Sequence, residues 1–382
     1  MFDKNTEQPF GELPEALVEE MLNQCNKLGS NLSQSFQKLY DYKTDMRNKL
    51  AEKNLLKRDG DLSFIPSNPT CCAVDGSYAI ERLICTDLAA FAGVAVEGLT
   101  PPSEKRYWPK PHHLSEVLTI SHNDNTGLFA RAIMMCMELK LAAAAPHDIV
   151  LFDGSLTTPL ISIDQGLNRL DDIPQKLATL FETRIEQALK SYLKILSSKR
   201  TDKIFAGIPK YTTRTEISKG ILNLREYEDR GLLTFILEAG EFVGPVPIQK
   251  IERPWHLNLE PIHPSTHLKE TAKEIFTALN DLHIIYYRPY SHFPVLRIEI
   301  AKSIANNPQR LAILLEALRL QCSSPSIMEP FPLYLADRMV KHLGTALPAI
   351  RRTTTQQMST EWEDKMGNTY LAMHGYRTNW GK

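Results

Sequence analysis

Two stretches, CCAVDGS at 71–77 and DIVLFDGSL at 148–156, decide how this chain reads. Each is a short apolar run closed by Asp-Gly-Ser, the pattern of a buried strand stopped by a turn. An Asp at the end of such a strand sets a carboxylate at the rim of a buried sheet. The Gly after it lets backbone or ligand come close. One such segment is an ordinary turn signal. Two of them, separated by further apolar stretches and a long helix, describe a site.

That helix is TGLFARAIMMCMELKLAAAA, 126–145, and Glu138 is the one acidic residue between Gly127 and Asp148. Met134, Met135, Met137 and Leu139 surround it. Taken alone, Glu138 reads as a surface acid paired with Lys140 or Arg131. The order is more telling: a strand with Asp75, two strands within 82–97, the helix with Glu138, then a strand with Asp153. It predicts an α/β fold with an RNase H-like mixed-sheet core, flanking helices and an N-terminal helical extension. Carboxylates from several elements are hard oxygen ligands suited to Mg²⁺ or Mn²⁺. Two such ions, about 3.5–4 Å apart, can stabilise both the entering and leaving oxygens of a phosphodiester displacement.

Outward from this core, residues 12–58 read as an amphipathic helix with a break near Gly29. Val18, Met21, Cys25, Leu28, Leu32, Leu39, Met46 and Leu50 fall near three-four spacing. The helix either packs on the body or serves a partner. Helices are expected at 176–197, 267–281, 308–320 and 332–343, and strands at 204–210, 284–287 and 293–300. LLTFILEAGE, 232–241, fits either period. The final 35 or so residues are polar and without clear period. The division expected is 1–65 helical extension, 66–345 catalytic core and 346–382 tail.

The loop PPSEKRYWPKPHH, 101–113, interleaves Lys105, Arg106 and Lys110 with Tyr107 and Trp108. Cations for phosphates beside rings for bases are what single-stranded nucleic acid requires, so these five are candidate DNA contacts. An exposed linker is the plainer reading. Arg297 and Glu299 share one face of a strand as an ion pair or a solvated face, and Arg297 is kept as a DNA-contact candidate. Tyr287 reads as packing.

The chain has 382 residues, a formal net charge of −1, 43% hydrophobic and 23% charged residues. That excludes collagen-like, disordered and membrane-spanning classes. The near-neutral balance also excludes a protein basic over its whole surface, yet it leaves room for an acidic cleft acting on DNA. Six cysteines without a CxxC pair, and an N-terminus without a secretory pattern, predict a reduced, cytoplasmic protein. No GxxxxGK loop, dinucleotide fingerprint, HExxH or GxSxG occurs, so any ATP-driven motor would be another chain.

AVDGSYAIERL (73–83), MELKLAAA (137–144), VLFDGSLTTPL (150–160), IFAGIPK (204–210), DRGLLTFILEAGE (229–241) and IIYYRPYSHFPVLRIEI (284–300) together resemble the NurA nucleases. The resemblance runs from about residue 70 to about 343. It implies an RNase H-like homodimer that cuts DNA with Mn²⁺ or Mg²⁺, as 5′–3′ exonuclease or single-strand endonuclease. It also implies a HerA-type hexameric translocase as partner, in DNA end processing or phage defence. Asp75, Asp153 and Glu138 match the family's metal-binding acids, and Lys210 its strand-terminal lysine, which either neutralises the scissile phosphate or pairs with an acid. In EPFPLYLAD, Glu329 stands where Tyr is usual and Asp337 where His is usual. Asp337 remains a competent oxygen ligand, so Asp75, Glu138, Asp153, Asp337 and Lys210 form the expected catalytic set. The departure leaves an alternative: a NurA-fold interaction module with weak or lost activity that binds or regulates its motor.

Overall fold

In an extended strand successive side chains point to opposite faces of the sheet, and here that alternation sorts the chemistry. The computed structural model describes residues 11, 13–62, 68–100, 106–170, 173, 175–200, 202–224, 227–249, 253–361 and 366–374. The described residues form nine strands: β1 (Leu56–Arg58), β2 (Cys71–Arg82), β3 (Asp87–Glu97), β4 (His112–Ile120), β5 (Ile149–Asp153), β6 (Ile204–Ile208), β7 (Glu241–Pro247), β8 (His283–Arg288) and β9 (Leu296–Ile300). They make one sheet in the order β1-β7-β8-β9-β6-β5-β2-β3-β4. β2, β3 and β4 pair antiparallel, whereas β2, β5 and β6 run parallel. This is the mixed RNase H-like core, widened by four further strands beyond β6.

Helices cover both faces. Cys72, Val74, Val150 and Phe152 face an apolar layer shared with α2 (Thr126–Ala144), α4 (Gln175–Ser197) and α6 (Thr266–Asn280). Cys71, Ala73, Ile149, Leu151, Ile204 and Ala206 face the other layer, with the short α7 (Lys302–Ala305), α8 (Pro308–Gln321) and Leu333 at the start of α9 (Phe331–Glu361). Thirteen residues of α2 are buried, Glu138 among them. No helix among the described residues is long and apolar enough to cross a membrane.

The two Asp-Gly-Ser motifs differ in structure. β2 does not stop at the first; it continues to Arg82. Gly76 lies directly opposite Gly93 of β3, which leaves a seat without side chains on which α2 rests. A Cβ on Gly76 would meet Glu138 Oε1 at 2.6 Å and Met134 Cγ at 2.7 Å, and one on Gly93 would meet Leu141 at 3.2 Å. The second motif does turn: Gly154 has φ +126°, a conformation that glycine adopts without steric cost. It leads into a helix absent from the sequence reading, α3 (Thr158–Leu167).

Other differences are as instructive. Residues 82–97 give one strand rather than two; the second is β4, within and beyond the Pro-rich stretch. The ambiguous 232–241 divides between α5 (Asp229–Ile236) and the start of β7. α9 runs on to Glu361 and is followed by α10 (Met366–Ala372), where no period was evident. Leu347 and Met373 there pack on Leu83 and Leu88. The N-terminal helix, α1 (Glu15–Glu52), is unbroken at Gly29. Its base buries Leu39, Met46 and Leu50 on the body, while Met21, Leu28 and Leu32 are exposed.

Candidate metal centre

Alternation explains why three distant residues meet. Asp75 follows Cys71 and Ala73 on one face of β2, and Asp153 follows Ile149 and Leu151 on the same face of β5. The two strands run in parallel, with Val74 beside Phe152, so the two aspartates come next in register. α9 crosses β2 on that face and brings Asp337 from its first two turns. One carboxylate oxygen from each of Asp75, Asp153 and Asp337 lies within 4.8 Å of the others. Lys210 sits two residues past Ile208, which extends the same-face series of β6. Its Nζ is 2.7 Å from Asp153 Oδ2, 2.9 Å from Glu329 Oε2 and 3.7 Å from Asp337 Oδ1. Lys341, one turn along α9, lies 2.7 Å from the other Asp337 oxygen.

Electrostatics mark the cluster as short of positive charge. Burial, then the nearby Asp153 charge, push the Asp75 carboxyl up to about 7, although the Gly76 N–H donates to its Oδ1 at 2.8 Å. Burial also raises Asp153, against the pull of Lys210. Burial works against the Lys210 ammonium, but hydrogen bonds to Asp153 and Glu329 outweigh it and hold the proton more firmly than usual. Converging carboxylates that resist ionisation together are what a hard divalent cation relieves. The donor set therefore fits Mg²⁺ or Mn²⁺.

Glu138 stands apart from the three aspartates, on the α2 side of β2 above Gly76. It does not share their mutual set of oxygens, yet it is within electrostatic reach. Burial foremost, then Asp75 and Asp153, raise its pKa well above the ordinary value. Asp153, Gly154 and Ser155 line a small pocket with it.

Beneath the second motif lies a buried polar chain. Glu299 Oε2 accepts from Ser155 Oγ at 2.7 Å and from the Leu156 N–H at 2.9 Å, which pins the turn that carries Asp153. Tyr192 donates to the Leu156 carbonyl. Arg297 joins Glu299 at 3.2 Å to Glu216 through a two-pronged contact at 3.0 and 3.1 Å, and donates to Tyr286 Oη at 2.6 Å. Tyr286 in turn donates to Asp229 at 3.0 Å. Arg297 is 0% exposed, which corrects the expectation that it touches DNA. Its face of β9 is covered, and the guanidinium is spent on two buried carboxylates.

The Pro-rich loop is also placed differently from its sequence reading. Trp108 is buried, stacked on His112 at 4.2 Å and edge-on to His147, so its ring is not available to a base. Glu97 accepts from the Tyr107 and Trp108 backbone N–H groups and from His147. That anchor lies beside the N-terminal ends of β2 and β5, whereas Asp153 ends β5. Six residues separate His147 from Asp153, roughly 20 Å of strand. Arg106, Tyr107 and Lys110 are exposed there, away from the acids; Lys105 lies outside the described residues. Glu329 is the site residue that sequence reasoning passed over as a mere departure. Its only signal was an acid in a position where the resemblance implied Tyr.

The NurA domain family model matches residues 69–341. A crystal structure of the NurA nuclease from Sulfolobus solfataricus superposes with a TM-score of 0.55 at 14% identity, covering 92% of this chain and 98% of that one. NurA with manganese gives 0.49 at 16% identity over 86% and 98%. NurA bound to dAMP and manganese gives 0.47 at 15% over 82% and 93%. The likeness of fold rests on the first. A comparison with the curated proteins finds no match.

Proposed function

The chain belongs to the NurA family, and from that premise we propose that it is a divalent-metal-dependent deoxyribonuclease hydrolysing phosphodiester bonds. The observation that carries the proposal is the convergence of Asp75, Asp153 and Asp337 from β2, β5 and α9. These three would hold Mn²⁺ or Mg²⁺, and Glu138, which lines a small pocket with Asp153, is the acid assigned to a second ion. A bound divalent cation supplies the Lewis acidity that a phosphodiester displacement needs. The chain's own residues prepare the place. The Arg297–Glu299 chain fixes the Asp153 turn, Gly76 orients the Asp75 carboxylate, and Lys210 offers positive charge where a phosphate would lie against the cluster.

Finer parts of the proposal have separate support. A homodimer is supported by the uncovered apolar stripe of α1. A HerA-type translocase as partner, in end processing or phage defence, follows from the family alone. All six cysteines are free, which supports a reducing, cytoplasmic setting. Of the expected DNA contacts, Arg106, Tyr107 and Lys110 stay in the proposal as a surface remote from the cut.

One observation favours a second reading, a weakened nuclease that regulates its motor. Lys210 is held by three acids, among them the two residues, Glu329 and Asp337, at which the chain departs from its family's pattern. End-labelled linear DNA incubated with Mn²⁺, Mg²⁺ or EDTA, with and without a HerA-type partner and ATP, decides between them. Metal-dependent cutting lost in Asp75→Ala and Asp153→Ala establishes the nuclease. Folded protein that binds metal and cuts nothing in any mixture establishes the second reading.

A further inference from the structure

Lys210 is shared between two kinds of carboxylate. Asp153 and Asp337 belong to the converging trio; Glu329, at 2.9 Å, does not. Any cation that enters among Asp75, Asp153 and Asp337 competes with the ammonium for the Asp153 carboxylate and repels it besides. Lys210 is only 29% exposed at its side chain, so water is a poor substitute for its lost partner. Lys341, the other ammonium at the cluster, differs in this respect: it is 71% exposed and one helical turn from Asp337, and can swing into solvent.

From this division we propose that Glu329 is a positioning residue that retains Lys210 when Asp153 and Asp337 turn to a divalent cation. It keeps the lysine paired at the rim of the cluster instead of leaving it to compete for the acids. The inference rests on the metal-dependent reading above and deepens it. Glu329 acts through Lys210, not as a ligand, and that distinction is measurable. Without Glu329 the ammonium has only the metal-binding acids to turn to among the partners seen here, so metal entry weakens those pairs with nothing to replace them. Without Lys210, Glu329 has nothing to hold and its substitution becomes silent toward metal.

The test is Mn²⁺ titration of the full chain by calorimetry, without DNA, for wild type, Glu329→Gln, Lys210→Met and the double variant. Thermal unfolding of each, free of metal, serves as the control for folding. A part-buried ion pair is the interaction at stake, so Glu329→Gln should weaken Mn²⁺ binding about tenfold. Lys210→Met should bind Mn²⁺ at least as tightly as wild type. Adding Glu329→Gln to it should change the affinity by less than about twofold, the mark of two residues acting as one unit. An equal loss in both backgrounds overturns the proposal and makes Glu329 a ligand. Unchanged affinity in Glu329→Gln also overturns it. A folded wild type that binds no Mn²⁺ refutes instead the metal reading on which it depends. Should Glu329→Gln unfold, Glu329→Asp, which keeps the charge, must restore both folding and wild-type affinity.

Discussion

Replacing Arg297 by methionine separates a structural cation from a DNA contact. The substitution keeps an unbranched apolar stem of similar reach and removes the guanidinium. Glu216 and Glu299 are then left as buried carboxylates, 4% and 3% exposed, with no opposing charge. Three hydrogen bonds to carboxylates and a fourth to the Tyr286 hydroxyl disappear with the guanidinium, at about 1.5–3 kcal/mol each. Their plain sum overstates the loss, because an orphaned carboxyl can take up a proton. In the wild type Arg297 is the main influence that outweighs burial and holds Glu216 below the usual range; without it only weaker backbone hydrogen bonds oppose burial. The expected cost at neutral pH is therefore that of a broken buried pair, about 3–5 kcal/mol. Urea unfolding followed by circular dichroism measures it. The deficit should shrink as pH falls toward 5, since protonation removes the unpaired charge. Changing Glu216 to Gln in the same chain should recover part of the loss. Fluorescence anisotropy on the folded protein should show unchanged affinity for single-stranded DNA. A variant of full stability that has lost DNA affinity would refute the reasoning.

Other expectations follow from the same geometry. Gly76→Ala drives a methyl into Glu138 and Met134 and should cost about 1–3 kcal/mol in urea unfolding; an unaltered midpoint would mean that α2 does not rest on that seat. Gly207→Ala sets its Cβ 2.8 Å from the Gly154 carbonyl oxygen, so a stable variant should still lose metal affinity, read by Mn²⁺ calorimetry, as the Asp153 turn is displaced. Asp75 has a folded-state pKa raised to about 7, so the metal-free fold binds the extra proton and stability should fall as pH rises from about 4 to 7. The span corresponds to about 4 kcal/mol at most; thermal melts of wild type and of Asp75→Asn, whose amide stays neutral, should run together below about pH 4 and separate as pH rises, with wild type losing stability relative to the variant, and parallel curves would contradict it.

The face that carries the candidate metal centre was legible because its signal is local. A period of two that ends in Asp names both the strand and the side on which the acid falls, for Asp75 and Asp153 alike. The length and apolar richness of α2 fixed the helix carrying Glu138. What escaped depends on partners far along the chain. The burial of Arg297 is settled by Glu216, and the role of Glu329 by Lys210; no spacing rule links either pair. β2 passes through its Asp-Gly-Ser because Gly93 across the sheet and α2 above make the glycine a seat, which the motif itself does not disclose. β4 was hidden in HHLSEVLTI, an edge strand largely open to solvent and therefore without a strong apolar alternation. The distal half of α9, with RRTTTQQ, has little to bury and so little period to read.

Because Asp75, Asp153 and Lys210 all fall on one side by odd-and-even counting, the centre depends on parity as well as on composition. Substituting a neighbour such as Ala73 or Leu151 alters packing and leaves the count intact. Deleting one residue from β5 ahead of Asp153 would reverse its phase and aim the carboxylate at α2. Loops on this scaffold are thus free to drift in length over time, while the few residues from Cys71 to Asp75 and from Ile149 to Asp153 must keep their number whatever their identity.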